Sequence, residues 1–540
     1  MNRNIVHTLL AGILLTGGGG LEAQPLDTVG VAIRDFELVR SRSPWLSSAN
    51  AAGLVVYARP NISTAQMSLH YGRGGLADYY QSARTLQAGA AVESFYRLGG
   101  RTVLYGKMSY GNVTSHDMAG SAFIDPTRKP FDIVEDSLAN TGKKHLDTYR
   151  IAGSVGVDVW RGVALGASAD FTAANYAKYK DLRHKNSLMD MKFTAGFTVP
   201  AGRHLTLGGN YFYRRNTESV RFSTYGKTDK TYVSLISYAA FMGLTEQFGG
   251  SGYTDQNREM PLYDEYNGGA LQAELRLGSF SFFNSMLLAH RTGYYGRRSP
   301  YTITYSNHHS DICRYEGALM LARPHVLHRL DLMLAVENLE NNAETYREVQ
   351  NEAGSTYYQY YDPIKTANKV WIDGRVAYTG RFGITADQAR WTLRAGANFM
   401  HRRQTAYRYP YYRRQSIGSV EGFVSGQYNM PAGSGLLGLS LGMTYRNGSG
   451  DAFRDGTFAA PSDKQTPPPV MDTWLWRELV YLTAPQFGFN AAVRYSFRAP
   501  GTRLSVYVEG QGSWRKANTH DSHLIGRART ELNIAFGCTF

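Results

Sequence analysis

The chain has 540 residues, a formal net charge of +14, 43% hydrophobic residues and two cysteines. Two cysteines in so long a chain exclude a disulfide-stapled scaffold. A mean hydropathy of −0.35, with no internal run of ~18 apolar residues, excludes spanning helices. Yet there are 38 Tyr, 57 Gly and only 19% charged residues, against about a quarter in soluble domains. That excess suits an all-β chain with aromatic belts.

The N-terminus "MNRNIVHTLLAGILLTGGGGLEAQPLDTV" has Arg3, an apolar run from Ile5 to Leu15 and Ala23 before Gln24. This pattern reads as a secretory signal peptide over 1–23, with no following Cys for a lipid anchor. Export makes nucleic acid the poorest partner for the positive charge and leaves an anionic membrane surface or acidic solutes. Residues 24–64 lack clear alternation. They read as a periplasmic leader, a lumen-entering segment or one extra hairpin.

From about residue 65 onward, segments of about 9–14 residues alternate apolar and polar side chains, as membrane β-strands do. In "YRIAGSVGVDVW", Tyr149, Ile151, Val155, Val157 and Val159 share one face. Arg150, Ala152, Ser154 and Asp158 share the other. "GLLGLSLGMTYRNG" and "QFGFNAAVRYSF" repeat the pattern. Strands are expected at 83–97, 101–111 and 117–124, and about fifteen more follow from Thr148. Long polar links are expected near 125–147, 174–187, 215–269, 294–310, 339–368, 404–415, 447–485 and 515–525, alternating with short turns. Long–short alternation is the loop rhythm of outer-membrane barrels.

The fold class is therefore all-β: one transmembrane antiparallel barrel of about 18 strands (16–20) over residues 65–540. In hydrocarbon the backbone must satisfy itself, so the sheet closes and only one face of each strand needs to be apolar. With the apolar register outward, the lumen receives Arg150, Asp158, Asp170, Lys192, Arg214, Glu274, Arg276, Asp331, Glu337, Asp373, Arg375, Arg394, Arg446, Arg494 and Glu509. Such charges in a barrel are more often structural ion pairs than catalytic groups. The positive surplus then sits in stretches such as "GYYGRRSPY" and "HRRQTAYRYPYYRRQ", where Tyr beside Arg suits headgroups and lipopolysaccharide phosphates.

No catalytic, cofactor or metal motif stands out. "RFSTYGKT" has Arg221 where a phosphate loop needs its first Gly. The loosely spaced His308, His309, Asp311, Cys313, His325 and His328 read as a polar loop and strand start rather than a metal set. Ser, His and Asp are plentiful, but no spacing singles out a triad.

The segments "LYGKMSYGN" (104–112), "FIDPTRKPFDIVED" (123–136) and "KDLRHKNSLMDMKFTAGF" (180–197) resemble a family of uncharacterised, porin-like outer-membrane β-barrel proteins of Gram-negative anaerobes. The resemblance spans the mature chain and implies fold and outer-membrane location, with no catalytic residue or substrate to carry across. The ending "ELNIAFGCTF", with Phe536 and Phe540, also resembles the aromatic signal read by the barrel-assembly machinery. The functional expectation is a porin-like channel or uptake component for a small solute, not an enzyme and without a cofactor. The alternative is a closed barrel acting in surface binding or assembly through loops 215–269 and 447–485; an outer-membrane lipid or peptide hydrolase ranks last.

Overall fold

The computed structural model describes residues 33–135, 141–226, 229–250, 252–256, 258–352, 354–502 and 504–540. The segment read as a signal peptide lies outside them. Twenty-one strands are described. The first ten are β1 (Ile62–Arg73), β2 (Arg84–Leu98), β3 (Thr102–Met118), β4 (Asp132–Glu135), β5 (Gly142–Trp160), β6 (Val163–Lys178), β7 (Arg183–Pro200), β8 (Leu205–Ser223), β9 (Val233–Ala239) and β10 (Met242–Gln247). Next come β11 (Met260–Leu277), β12 (Phe280–Ser299), β13 (Thr302–Arg323), β14 (Val326–Gln350), β15 (Thr356–Phe382) and β16 (Trp391–Arg408). The last are β17 (Tyr411–Ala432), β18 (Gly435–Thr457), β19 (Gln486–Arg498), β20 (Ser505–Ala517) and β21 (Ala528–Thr539). Helices α1 (Phe36–Ser41) and α2 (Asp472–Thr483) complete the regular structure, with two short 3₁₀ turns between α1 and β1.

Eighteen strands form one antiparallel ring; β4, β9 and β10 make a separate three-stranded sheet. The ring closes where β21 pairs with β1, from Thr64 opposite Thr539 to Arg73 opposite Thr530. Ser63 and Phe540 exchange both backbone hydrogen bonds, at 2.8 and 3.0 Å. Leu532, Ile534, Phe536 and Phe540 lie 55–62% exposed, while Ala535 between them is buried. Met67, Leu69, Met108, Ile151, Leu165, Phe193, Leu271, Leu288, Leu441 and Val493 continue this apolar outer surface around the ring. A closed 18-strand barrel with an apolar exterior is a protein of the bacterial outer membrane.

The early strands differ from expectation. Segment 117–124 is no barrel strand. Positive φ at Asp117 (54°) and Gly120 (77°) turns the chain inward, and Ser121, Phe123 and Phe131 are buried. The first strand of the ring is β1 instead, so the total holds while one member changes.

Four expected long links are short hairpin turns; the one expected at 174–187 is only residues 179–182, between β6 and β7. Only Pro300 and Tyr301 separate β12 from β13, and only Tyr409 and Pro410 separate β16 from β17. Strands β14 and β15 run for 25 and 27 residues, where a crossing needs about 9–11. Beyond the hydrocarbon the outer face no longer has to be apolar, so alternation fades while the ladder continues. Tyr346 opposite Tyr360 is one such late pair.

The barrel interior is occupied from both ends. From the short-turn end, residues 33–61 pack against β5–β7 and β11. There the inward register offers glycines: an added Cβ would lie 2.1 Å from Ala52 N at Gly166, 2.4 Å from Asn50 Oδ1 at Gly196 and 2.8 Å from Trp45 at Gly208. Asn50 donates to the carbonyls of Phe197 (2.9 Å) and Gly209 (3.3 Å) and to Gln272 Oε1 (3.1 Å). At the mouth, Arg34 and Arg42 both reach Asp387 at 3.2 Å. From the other end, residues 119–135, β9, β10 and α2 form a cap over one apolar cluster that includes Phe131, Ile133, Ile236, Tyr253 and Tyr295. A second cluster joins Tyr79, Val134, Leu235, Trp474 and Leu475. Of the links 215–269 and 447–485, β9 with β10 and α2 thus lie inside the barrel, while residues 457–467 stay exposed.

Two outcomes check this fold. Unboiled protein in detergent gels should migrate apart from boiled protein, and Ile534→Arg should reduce the folded band, since a midplane Arg on the lipid face costs about 2–4 kcal/mol. Gly166→Val should leave that gel shift intact while hydrogen exchange rises across residues 45–57, because the added side chain overlaps Ala52.

Candidate functional site

The inward side chains expected from the sequence gather in several small groups. Arg150 Nε donates to Asp170 Oδ1 at 2.9 Å. With Lys192 they border a cavity of about 370 Å³ that Trp45 and Arg40 of the N-terminal segment close. Arg214 makes a two-pronged contact with Asp190 at 2.8 and 2.5 Å. Glu274 accepts from Trp45 Nε1 at 2.7 Å and from Arg276 at 3.0 Å. Asp331 pairs with Arg329 at 2.8 Å. Glu337 lies 3.3 Å from Arg291 and 3.6 Å from Arg128, which also contacts Asp373.

Arg375 lies over the Phe423 ring at 5.7 Å, and Arg446 donates to the Tyr481 carbonyl of α2. Arg394 and Arg494 line a cavity of about 290 Å³, and Glu509 stands 3.8 Å from Arg494. Asp158 ends at a turn, where its Oδ1 accepts from Gly162 N at 3.3 Å. These groups are thus spread around the ring, and most charges are paired, as the cost of a stranded charge demands.

A third cavity, of about 500 Å³, lies between the cap and the β18–β21 wall. Tyr80, Gln81, Tyr481, Thr444, Asn490, Ser513, Arg515 and Arg529 border it. Arg515 pairs with Glu421 at 3.3 Å and Arg529 with Glu531 at 2.7 Å.

The histidines are not a loop cluster. His308, His309 and His328 lie on strands β13 and β14 with His325 in the turn between them, and the two-residue period sends neighbours to opposite faces. His308 is buried against Asp264 at 2.6 Å, while His309 faces His290 across 6.4 Å. Among the described residues, no three His, Cys, Asp or Glu side chains converge on a common point. The basic stretch 401–415 also splits by period. Arg402 turns in to Glu478 of α2 at 2.6 Å and Arg413 to Asp472 at 2.6 Å. Those arginines hold the cap and are not available to headgroups.

The segment 123–135 is the clasp of the cap. Ile124 N donates to Glu218 at 2.9 Å, and Lys129 pairs with Glu218 at 2.8 Å. Asp125 Oδ1 accepts from Thr127 N at 2.9 Å, and the Phe131 ring meets Phe123, Tyr253 and Tyr295 edge-on. Asp132 accepts from Ser121 and Tyr79 at 2.6 and 2.9 Å.

Asn490, Asp387 and the Asp78–Glu478–Arg402 group escaped a reading that followed only charges in clean alternation. Asp78 and Glu478 lie outside the barrel strands, so no strand register marks them. The inward glycines on consecutive strands, Gly156, Gly166, Gly196 and Gly208, were a legible sign that backbone approaches the wall.

The cap has a pH dependence. Burial, then the nearby Glu478 carboxylate, push the Asp78 carboxyl up to about 8. Burial pushes Asp132 up to about 6 against its hydrogen bonds from Ser121 and Tyr79. Both carboxyls bind protons more tightly folded than unfolded. Their contribution is complete below about pH 4, the unfolded value, and is lost as pH rises through about 6 and about 8. After correction for intrinsic rates, exchange protection of 119–135 and 472–483 should be lower at pH 9 than at pH 6. Asp78→Asn should shrink that difference.

A search of the curated proteins found no match. Among solved structures, the ferric preacinetobactin receptor BauA from Acinetobacter baumannii is similar at 9% identity and TM-score 0.38, covering 88% of this chain and 80% of that one. The copper transporter OprC is similar at 10% identity and TM-score 0.36, over 88% and 81%. The ferric citrate transporter FecA, in its unliganded form, is similar at 9% identity and TM-score 0.38, over 89% and 78%. The family model described as "Family of unknown function (DUF6850)" matches residues 51–540, and the chain belongs to that family.

Proposed function

We propose that this barrel carries a small polar solute across the outer membrane. The observation that carries the reading is the set of polar cavities, about 500, 370 and 290 Å³, left between the wall and the interior segments. A lumen filled for stability alone has no use for them, because each unfilled space forfeits packing contacts. Their sizes lie near those of pockets for small molecules. The inward charges act here as a mixed-sign lining that gives weak overall charge selection. The aromatic-ended β21, with Phe536 and Phe540 outward, serves as the signal to the assembly machinery. Outward Arg–Tyr pairs such as Arg298 over Tyr294 at 4.3 Å meet lipopolysaccharide phosphates.

A second reading is a closed barrel that binds a partner at the cell surface. The protruding β12–β13 and β14–β15 hairpins favour it, since they present exposed Tyr301, Tyr346, Tyr360 and Tyr361 well beyond the length a crossing needs. Purified protein in planar bilayers separates the two. Uptake predicts reproducible stepwise ion conductance; a silent bilayer, with the gel shift intact, would leave the surface reading.

A further inference from the structure

The interior wall is not uniform. On β5–β8 its acids are paired with arginine, as Asp170 with Arg150 and Asp190 with Arg214. On β17–β20 the inward charges Glu421 with Arg515 and Arg494 with Glu509 are paired, and between them runs a stretch of small uncharged inward side chains: Ser425, Ser440, Thr444, Asn490 and Ser513. Two of the cavities lie along this second stretch. The larger, near the cap, and the smaller, near the short-turn end, share Asn490. Opposite Asn490 in register stands Gly442, and a Cβ there would meet Asn490 Oδ1 at 2.6 Å. The carboxamide therefore lies over the space the glycine leaves. It is half-buried and has no hydrogen-bond partner among the described residues.

The smaller cavity also holds arginines without an ion pair. Arg381 and Arg394 border it, and neither has a carboxylate within ion-pair distance among the described residues. Arg381 donates to Ser41 Oγ. The two acids on the same cavity are engaged elsewhere: Asp35 Oδ1 caps α1 by accepting from Glu37 N at 2.9 Å, and Glu37 pairs with Arg40 at 2.8 Å. Arginines facing a polar passage select anions.

We propose that the solute route runs along the β17–β20 wall, through the two cavities, with Asn490 over Gly442 as the constriction, and that it takes small hydroxylated organic anions. Hydroxyl and amide groups replace the solute's water along the wall, and the Arg381–Arg394 pair attracts its charge before release. This rests on the uptake reading and adds the path, the constriction and the solute class.

The test uses full-length protein in planar bilayers and liposomes. Asn490→Cys changes little volume, and a negatively charged methanethiosulfonate reagent is added only after channels have inserted. We expect the current of this variant to fall at least twofold and to recover with reductant. Wild type, whose Cys313 and Cys538 stand in the outward register, should not respond. Wild-type liposomes should admit gluconate at least threefold faster than N-methylglucamine, and Arg394→Glu should abolish or reverse that ratio. A conducting Asn490→Cys variant indifferent to the reagent overturns the route but spares uptake. A route that closes on modification yet shows no preference for gluconate overturns the solute class. A silent wild type overturns route and uptake together.

Discussion

Everything in this molecule depends on backbone hydrogen bonding without water. A strand in hydrocarbon cannot leave its N–H and C=O groups free, so the sheet must close. Closure is made where β21 meets β1, ending with Phe540 bonded both ways to Ser63. Once the ring is closed, each strand has a lipid face and an interior face, and two-residue periodicity assigns every side chain to one of them. Ile534 is 62% exposed while Ala535 is buried, one residue apart.

An 18-strand ring then creates a second problem, because its interior is too wide for wall side chains to fill. This chain fills it with its own segments. The N-terminal stretch approaches through glycines on successive strands, and Asn50 there donates to wall carbonyls. The cap brings its own apolar core and is fastened by buried ion pairs such as Arg402–Glu478. Breaking one partner of such a pair strands a charge, so the fastenings are costly to undo singly. Interior segments held this way leave, between the paired charges of the wall, a stretch of small unpaired polar groups on β17–β20.

The barrel was legible because its cause is local: Tyr149, Ile151 and Val155 must meet lipid, and that necessity writes itself at every second residue. The last strand was equally plain. Where hydrocarbon ends, the necessity ends. The upper halves of β14 and β15 carry polar residues on both faces, so they resembled loops although their ladder continues. Segment 117–124 has enough alternation to pass for a strand, and only the positive φ at Asp117 and Gly120 sends it inward. The inward charges were readable from register, but their partners were not. Asp387 lies far along the chain from Arg34 and Arg42, and nothing in either stretch announces the other.

The residues most telling for function are the ones periodicity ranks lowest. Charges such as Arg150 and Asp170 attract notice, yet they satisfy each other. Asn490, Thr444 and Ser513 look bland in sequence, and Gly442 looks like a gap. A polar side chain already paired has little to offer a passing solute, because the solute would have to replace an interaction of similar strength. An unpaired carboxamide beside open volume exchanges water for solute at little net cost. Transport needs surfaces that bind weakly and release, and the uncharged stretch of the β17–β20 wall around Asn490 meets that requirement better than the paired charges that flank it.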